Sequence, residues 1–152
     1  MLDLFKLAEV ELVYKSHVPA DNRPTISSSK DAFHILYENW NKDKLELLEE
    51  AKMLLLNRRG GVLGIYNLSS GGLSATIVDS RLVYMAALKA NAHSIILSHN
   101  HPSGMLSPSE QDLRLTNNIY KAGEIIGVQL LDHIIISNQG YYSFADEGKL
   151  GL

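Results

Sequence analysis

Two histidines one residue apart, His99 and His101, are followed eleven positions later by an acid, Asp112, in the stretch HNHPSGMLSPSEQD. Residues two apart on a strand point to the same face, so the end of SIILSHNH can aim both imidazoles at one point. The turn-forming residues of PSGML let the chain fold back, and a helix beyond them would return Asp112 to the strand end. Two imidazoles and a carboxylate suit a catalytic zinc ion, which keeps three protein ligands and leaves a fourth position for water. Zinc lowers the pKa of that water to about 7, so hydrolysis is the chemistry implied. Ser109 lies three residues before Asp112 and shares its helix face. With Ser107 read as the helix cap, the Ser109 hydroxyl is free to donate to an oxyanion, a contribution of about 2.7–4 kcal/mol in comparable sites. A His-x-His pair is more often a pair of satisfied or exposed histidines. Here it ends a buried apolar run and precedes a capped helix with an aspartate on the matching face, which favours the metal. His133, inside LLDHIII, reads as a core histidine or one supporting a ligand from behind; His93 falls after a helix end, and His17 and His34 have no partners in sequence.

The elements that must position these residues are marked along the chain. VELVYKS (10–16) alternates as a strand would, and HVPADNRPTISSS reads as a connecting loop. Ser28 with Asp31 gives a helix start, and Phe33, Leu36, Tyr37 and Trp40 recur at helical spacing as core packing. KMLLLN and VLGIYNLS flank the NRRGG turn and predict an antiparallel hairpin with both strands centrally buried. Asp79 and Ser80 open a helix with Leu82, Val83, Ala86 and Ala90 on one face, and HSIILSHNH follows as a short strand. Ser107 as cap, Pro108 at the first helical position and Glu110 closing a capping box predict the next helix, ending at Gly123 or Gly127. VQLLDHIIIS is then a strand, and NQG turns into YYSF. A hairpin combined with strand-helix-strand crossovers makes this a layered α/β fold with a mixed sheet.

Bulk properties narrow the class. The chain has 152 residues, 45% apolar and 20% charged, enough for one domain with a real core. The expected division is an N-terminal strand and loop over 1–27 and the domain proper over 28–152. There is no cysteine, so disulfides, thiolate ligands, zinc ribbons and zinc fingers are excluded. No apolar run is long enough to span a bilayer and the acidic start is unlike a signal peptide, so a cytoplasmic location without membrane contact is expected. The net charge of −3, with scattered lysine and arginine, does not favour nucleic acid as a partner. A nucleotide deaminase needs a P-C-x-x-C ligand pair and a zincin needs H-E-x-x-H; neither pattern is present. The HNH triplet is contiguous, unlike the dispersed residues of His-Asn-His nucleases.

His99, His101, Ser109 and Asp112 together satisfy a known pattern: His-x-His, seven residues, Ser, two residues, Asp. SHNHPSGMLSPSEQD thereby resembles the JAMM motif of MPN-domain metalloproteases. SHNHPSG, LDHIII and GYYSFADEG, with NLSSGG and IVDSR, are similar to the RadC branch, bacterial proteins named for DNA repair, over about 28–148. The resemblance implies an MPN, cytidine-deaminase-like fold of a mixed sheet flanked by helices, and Zn2+-dependent peptidase or isopeptidase action on a protein or peptide substrate. It also implies a glutamate from an upstream strand as general acid and base. The matching position is Glu49; its neighbour Glu50 would point to the opposite face, and a one-residue slip in the match would exchange them. Full-length RadC proteins carry an N-terminal helix-hairpin-helix module, which the segment before Ser28 is too short to hold, so the catalytic module alone is expected here. The rival readings are a DNA-repair-associated accessory protein and a non-catalytic MPN scaffold. Scaffolds of that type usually lack a ligand, whereas this chain has all of them.

Overall fold

The computed structural model describes residues 5–11, 13–71 and 78–152. Leu12 of VELVYKS, Gly72 of NLSSGG and Ile77 of IVDSR lie outside the described residues. Among the described residues, three α-helices, α1 (Ser29–Glu38), α2 (Ser80–Lys89) and α3 (Glu110–Ile126), accompany five strands. The strands are β1 (Glu50–Leu56), β2 (Val62–Ser70), β3 (Ser94–Asn100), β4 (Gln129–Ser137) and β5 (Gly140–Ser143). They form one sheet in the order β2-β1-β3-β4-β5. Only β3 and β4 pair in parallel, joined by the α3 crossover, and the other neighbours are antiparallel. This is the mixed sheet flanked by helices that the element order implies. None of the described helices is long and apolar enough to cross a membrane.

Helices cover both faces of the sheet, which is why β1 and β3 are buried almost without a break. Met53, Leu55, Ile95 and Leu97 pack with Val83 and Ala87 of α2 and Ile119 of α3. Leu54, Leu56, Ile96, Ile134 and Ile136 pack on the other face against Ala32 and Leu36 of α1 and against Trp40. Strand alternation therefore sorts β1 and β3 into an α2/α3 side, which includes Ala51 and His99, and an α1 side, which includes Lys52 and Asn100. Ser28 and Asp79 cap α1 and α2 as their sequences imply. Helix α3 stops at Gly127, whose φ of 84° suits glycine in a left-handed cap.

Three expectations are corrected. The described residues of 10–16 form no strand; Val10 is 85% exposed, and the Tyr14 hydroxyl donates to the Leu63 carbonyl on β2. Alternation there has no second apolar surface to bury, so it does not fix a strand. β2 is an edge strand, not a central one, with Ile65, Tyr66 and Asn67 exposed. α3 is capped by Ser109 rather than Ser107, and Ser107 and Pro108 precede the helix. Two overlapping cap signals compete in SPSEQD. The later one wins with an aspartate that both closes the capping box and reaches the histidines.

Candidate metal centre

β3 is buried from end to end, and His99 is held between Ala51 of β1 and Ile135 of β4 on the α2/α3 side. His101 follows just past the strand, at a turn that Gly104 closes with φ 82° and an N–H donated to the His101 carbonyl. His101 Nδ1 lies 2.7 Å from the Met105 carbonyl. A carbonyl only accepts, so Nδ1 carries a proton, and the ring in its neutral form presents a bare Nε2.

Asp112 sits in the first turn of α3. The Ser109 hydroxyl oxygen accepts from the Asp112 N–H at 3.1 Å, and the Ser109 N–H donates back to Asp112 Oδ2 at 2.8 Å. Ser109 is therefore occupied as an acceptor, contrary to the expectation of a free hydroxyl, while its O–H proton is not used by the cap. The capping box turns the carboxylate toward the strand end. Asp112 Oδ1 lies 3.2 Å from His99 Nε2 and Oδ2 lies 3.3 Å from His101 Nε2. The two Nε2 atoms are 2.9 Å apart. Ligand atoms on a tetrahedral zinc at about 2.0–2.1 Å are separated by about 3.3 Å, so this donor set fits the ion. Lone pairs of two imidazoles and a carboxylate converge here, and a cation relieves their repulsion.

Burial opposes an ionised Asp112, yet the imidazoles of His101 and His99 beside it, with the Ser109 N–H, hold its carboxyl well below the usual carboxylate range. The adjacent Asp112 carboxylate raises the His101 pKa, against burial and with help from Met105 and Glu49. Burial pushes His133 well below 6.5, and the neighbouring His99 acts in the same direction, so His133 is neutral at pH 7.

Glu49 immediately precedes β1. Glu49, His99 and His101 each offer a ligand atom within 4.8 Å of one another. Glu49 also lines, with His99, Asp112 and His133, a cavity of about 20 Å³, room for one water molecule. The neighbouring Glu50 is not drawn into this cluster; its N–H donates to Asn100 Oδ1 at 2.7 Å.

Sequence reasoning did not find two supporting residues. Asn100, between the histidines and fully buried, donates to the carbonyls of Leu45 at 2.7 Å and Leu48 at 2.8 Å while accepting from Glu50. It thereby pins the segment that carries Glu49. Its only signal was alternation, which turns it away from the face of His99. Thr116, one helical turn after Asp112, donates to the Asp112 carbonyl at 2.7 Å and lies 2.7 Å from His133 Nδ1. His133, read from sequence as a core or supporting histidine, stands behind His99 with its Nε2 2.8 Å from His99 Nδ1.

The sequence pattern described as "RadC-like JAB domain" matches residues 26–149. A UPF0758 protein of Flavobacterium johnsoniae is 47% identical over 81% of this chain and 52% of its own length. Another, of Porphyromonas gingivalis, is 50% identical over 67% of this chain and 45% of its own. One from Clostridium kluyveri is 40% identical over 97% of this chain and 63% of its own. The chain thus spans about half to two thirds of the length of these curated relatives. With a mixed five-stranded sheet, three flanking helices and a family match that includes every residue of the His, Ser and Asp motif, the chain belongs to the RadC-like JAB domain family and has the JAB/MPN architecture.

Proposed function

We propose that the protein is a zinc-dependent hydrolase of peptide or isopeptide bonds, with His99, His101 and Asp112 holding the ion. The observation that carries this reading is the convergence of His99 Nε2, His101 Nε2 and both Asp112 carboxylate oxygens at separations of 2.9–3.3 Å, with Glu49 beside them. Zinc bound there would make water nucleophilic near neutrality and polarise a substrate carbonyl. The Glu49 carboxylate, which lines the adjoining cavity, would accept a proton from the attacking water and deliver it to the departing amine nitrogen. The Ser109 O–H, unused by the cap, donates to the carbonyl oxygen as that atom gains negative charge. Both substrate classes are amides, so the same residues serve a main-chain or a side-chain bond.

The test is mass-spectrometric profiling of cleavage in a peptide library by the zinc-loaded protein and by Glu49→Gln. The variant is expected to keep its zinc and lose about 10²–10⁴-fold in rate, the worth of a positioned acid-base group. Full activity in the variant would remove Glu49 from the chemistry. Loss of zinc would instead make Glu49 a ligand, the reading that its proximity to His99 and His101 also supports.

A further inference from the structure

Behind His99 runs a buried chain of polar contacts that ends on the backbone of α3. His99 Nδ1 lies 2.8 Å from His133 Nε2, and His133 Nδ1 lies 2.7 Å from the Thr116 hydroxyl, which donates to the Asp112 carbonyl at 2.7 Å. Thr116 and His133 are 0% and 2% exposed, so no bulk solvent competes for these contacts. The His133 ring is also stacked on Phe144, with centroids 4.7 Å apart and planes 11° from parallel, so it is not free to turn.

The contacts have a direction. Thr116 has one hydroxyl proton, and it is committed to a carbonyl that can only accept. The hydroxyl oxygen must then receive a hydrogen bond from His133 Nδ1. A neutral imidazole has one N–H, so His133 Nε2 is bare and accepts from His99 Nδ1–H. His99 is left with its lone pair on Nε2, facing His101 and Asp112. The opposite polarity would place a proton on His99 Nε2, among the ligand atoms, where it excludes a metal ion.

We infer that Thr116 and His133 are positioning residues that hold His99 in the Nδ1–H tautomer and so keep its Nε2 available to a metal ion. The inference rests on the reading of His99 as a ligand. It gives Thr116, which touches none of the reacting atoms, a specific influence on metal affinity, as partners behind metal-bound imidazoles generally have. It also links the helix to the strand: Asp112, the third proposed ligand, supplies through its main-chain carbonyl the acceptor that orients the first imidazole.

The experiment compares the protein with Thr116→Val and Thr116→Ser. Two readouts are taken after circular dichroism shows each variant folded: zinc affinity by competition with a chromophoric chelator, and the His99 and His133 tautomers by 15N NMR of the metal-free protein. Valine keeps the shape of threonine but offers His133 Nδ1 no acceptor. The expected result is that His133 moves to the Nε2–H tautomer, His99 follows it, and zinc affinity falls by about 10–100-fold. Serine, which keeps the hydroxyl, should restore both. Unchanged tautomers and unchanged affinity in a folded Thr116→Val protein would overturn the inference. Failure of the parent to bind zinc, with the tautomers as stated and shifted by valine, would support the orienting role and sink the metal reading instead.

Discussion

Each donor group at the centre is aimed by a hydrogen bond on its far side: His101 by the Met105 carbonyl, His99 by His133, and Asp112 by the Ser109 N–H. Ser109 caps α3, and the proposed reaction would give it a second, separable duty. Ser109→Ala should cost about 1 kcal/mol in stability through loss of the cap. If its O–H also stabilises an oxyanion, the rate should fall by about 10²–10³-fold with zinc retained. Chemical denaturation and steady-state kinetics on the same sample separate the two effects, and a stability loss with an unaltered rate would leave Ser109 a cap alone. The convergence of His99, His101 and Asp112 was legible because their spacing is local and strand and helix periodicities bring such residues together. Glu49 was not legible from spacing, because its approach to His99 is a pairing across fifty residues; only the family resemblance pointed to it. Thr116 carried no signal at all, since its value lies in a contact with His133 on another element.

At the scale of elements, the site depends on β1 and β3 sliding into one register, and Asn100 is the pin. Asn100→Ala leaves the Leu45 and Leu48 carbonyls and the Glu50 N–H without their partner. A buried group left unpaired costs about 1–3 kcal/mol, so a drop at the upper end of that range or beyond it is expected in urea unfolding. A change near zero would mean that water replaces the side chain. The same element scale shows where local pattern succeeds. The hairpin, β3 and the caps of α1 and α2 follow from turn residues, apolar runs and N-cap chemistry. The failures at 10–16, β2 and the start of α3 share a cause. In each, an adequate local pattern leaves open whether a neighbouring surface is present or which of two competing caps the tertiary contacts select.

At the scale of the whole molecule, the sheet separates two packed layers, and it carries buried polar groups held by hydrogen bonds. Asp132 is one such group, accepting from Ser143 Oγ, the Ala145 N–H and its neighbour's N–H. Burial nevertheless raises its pKa above the ordinary 3.8. A folded pKa above the unfolded one means that the protonated form contributes stability below 3.8, which is lost as pH rises through the folded value. Asp132→Asn is neutral throughout, so its stability relative to the parent should increase with pH across that window and then level off. Denaturant unfolding over an acid-to-neutral series checks the sign, and a relative stability that falls with rising pH would contradict it.

The proposed ion would span all three scales, because a zinc held by His99, His101 and Asp112 would tie the end of β3 to the start of α3. Metal-free protein titrated with zinc, alongside Asp112→Ala and His101→Ala variants shown to be folded, tests this most directly. The expected result is about one zinc per chain for the parent and none held by either variant at the same concentration. Stoichiometric zinc in both variants, or none in the parent, would contradict it.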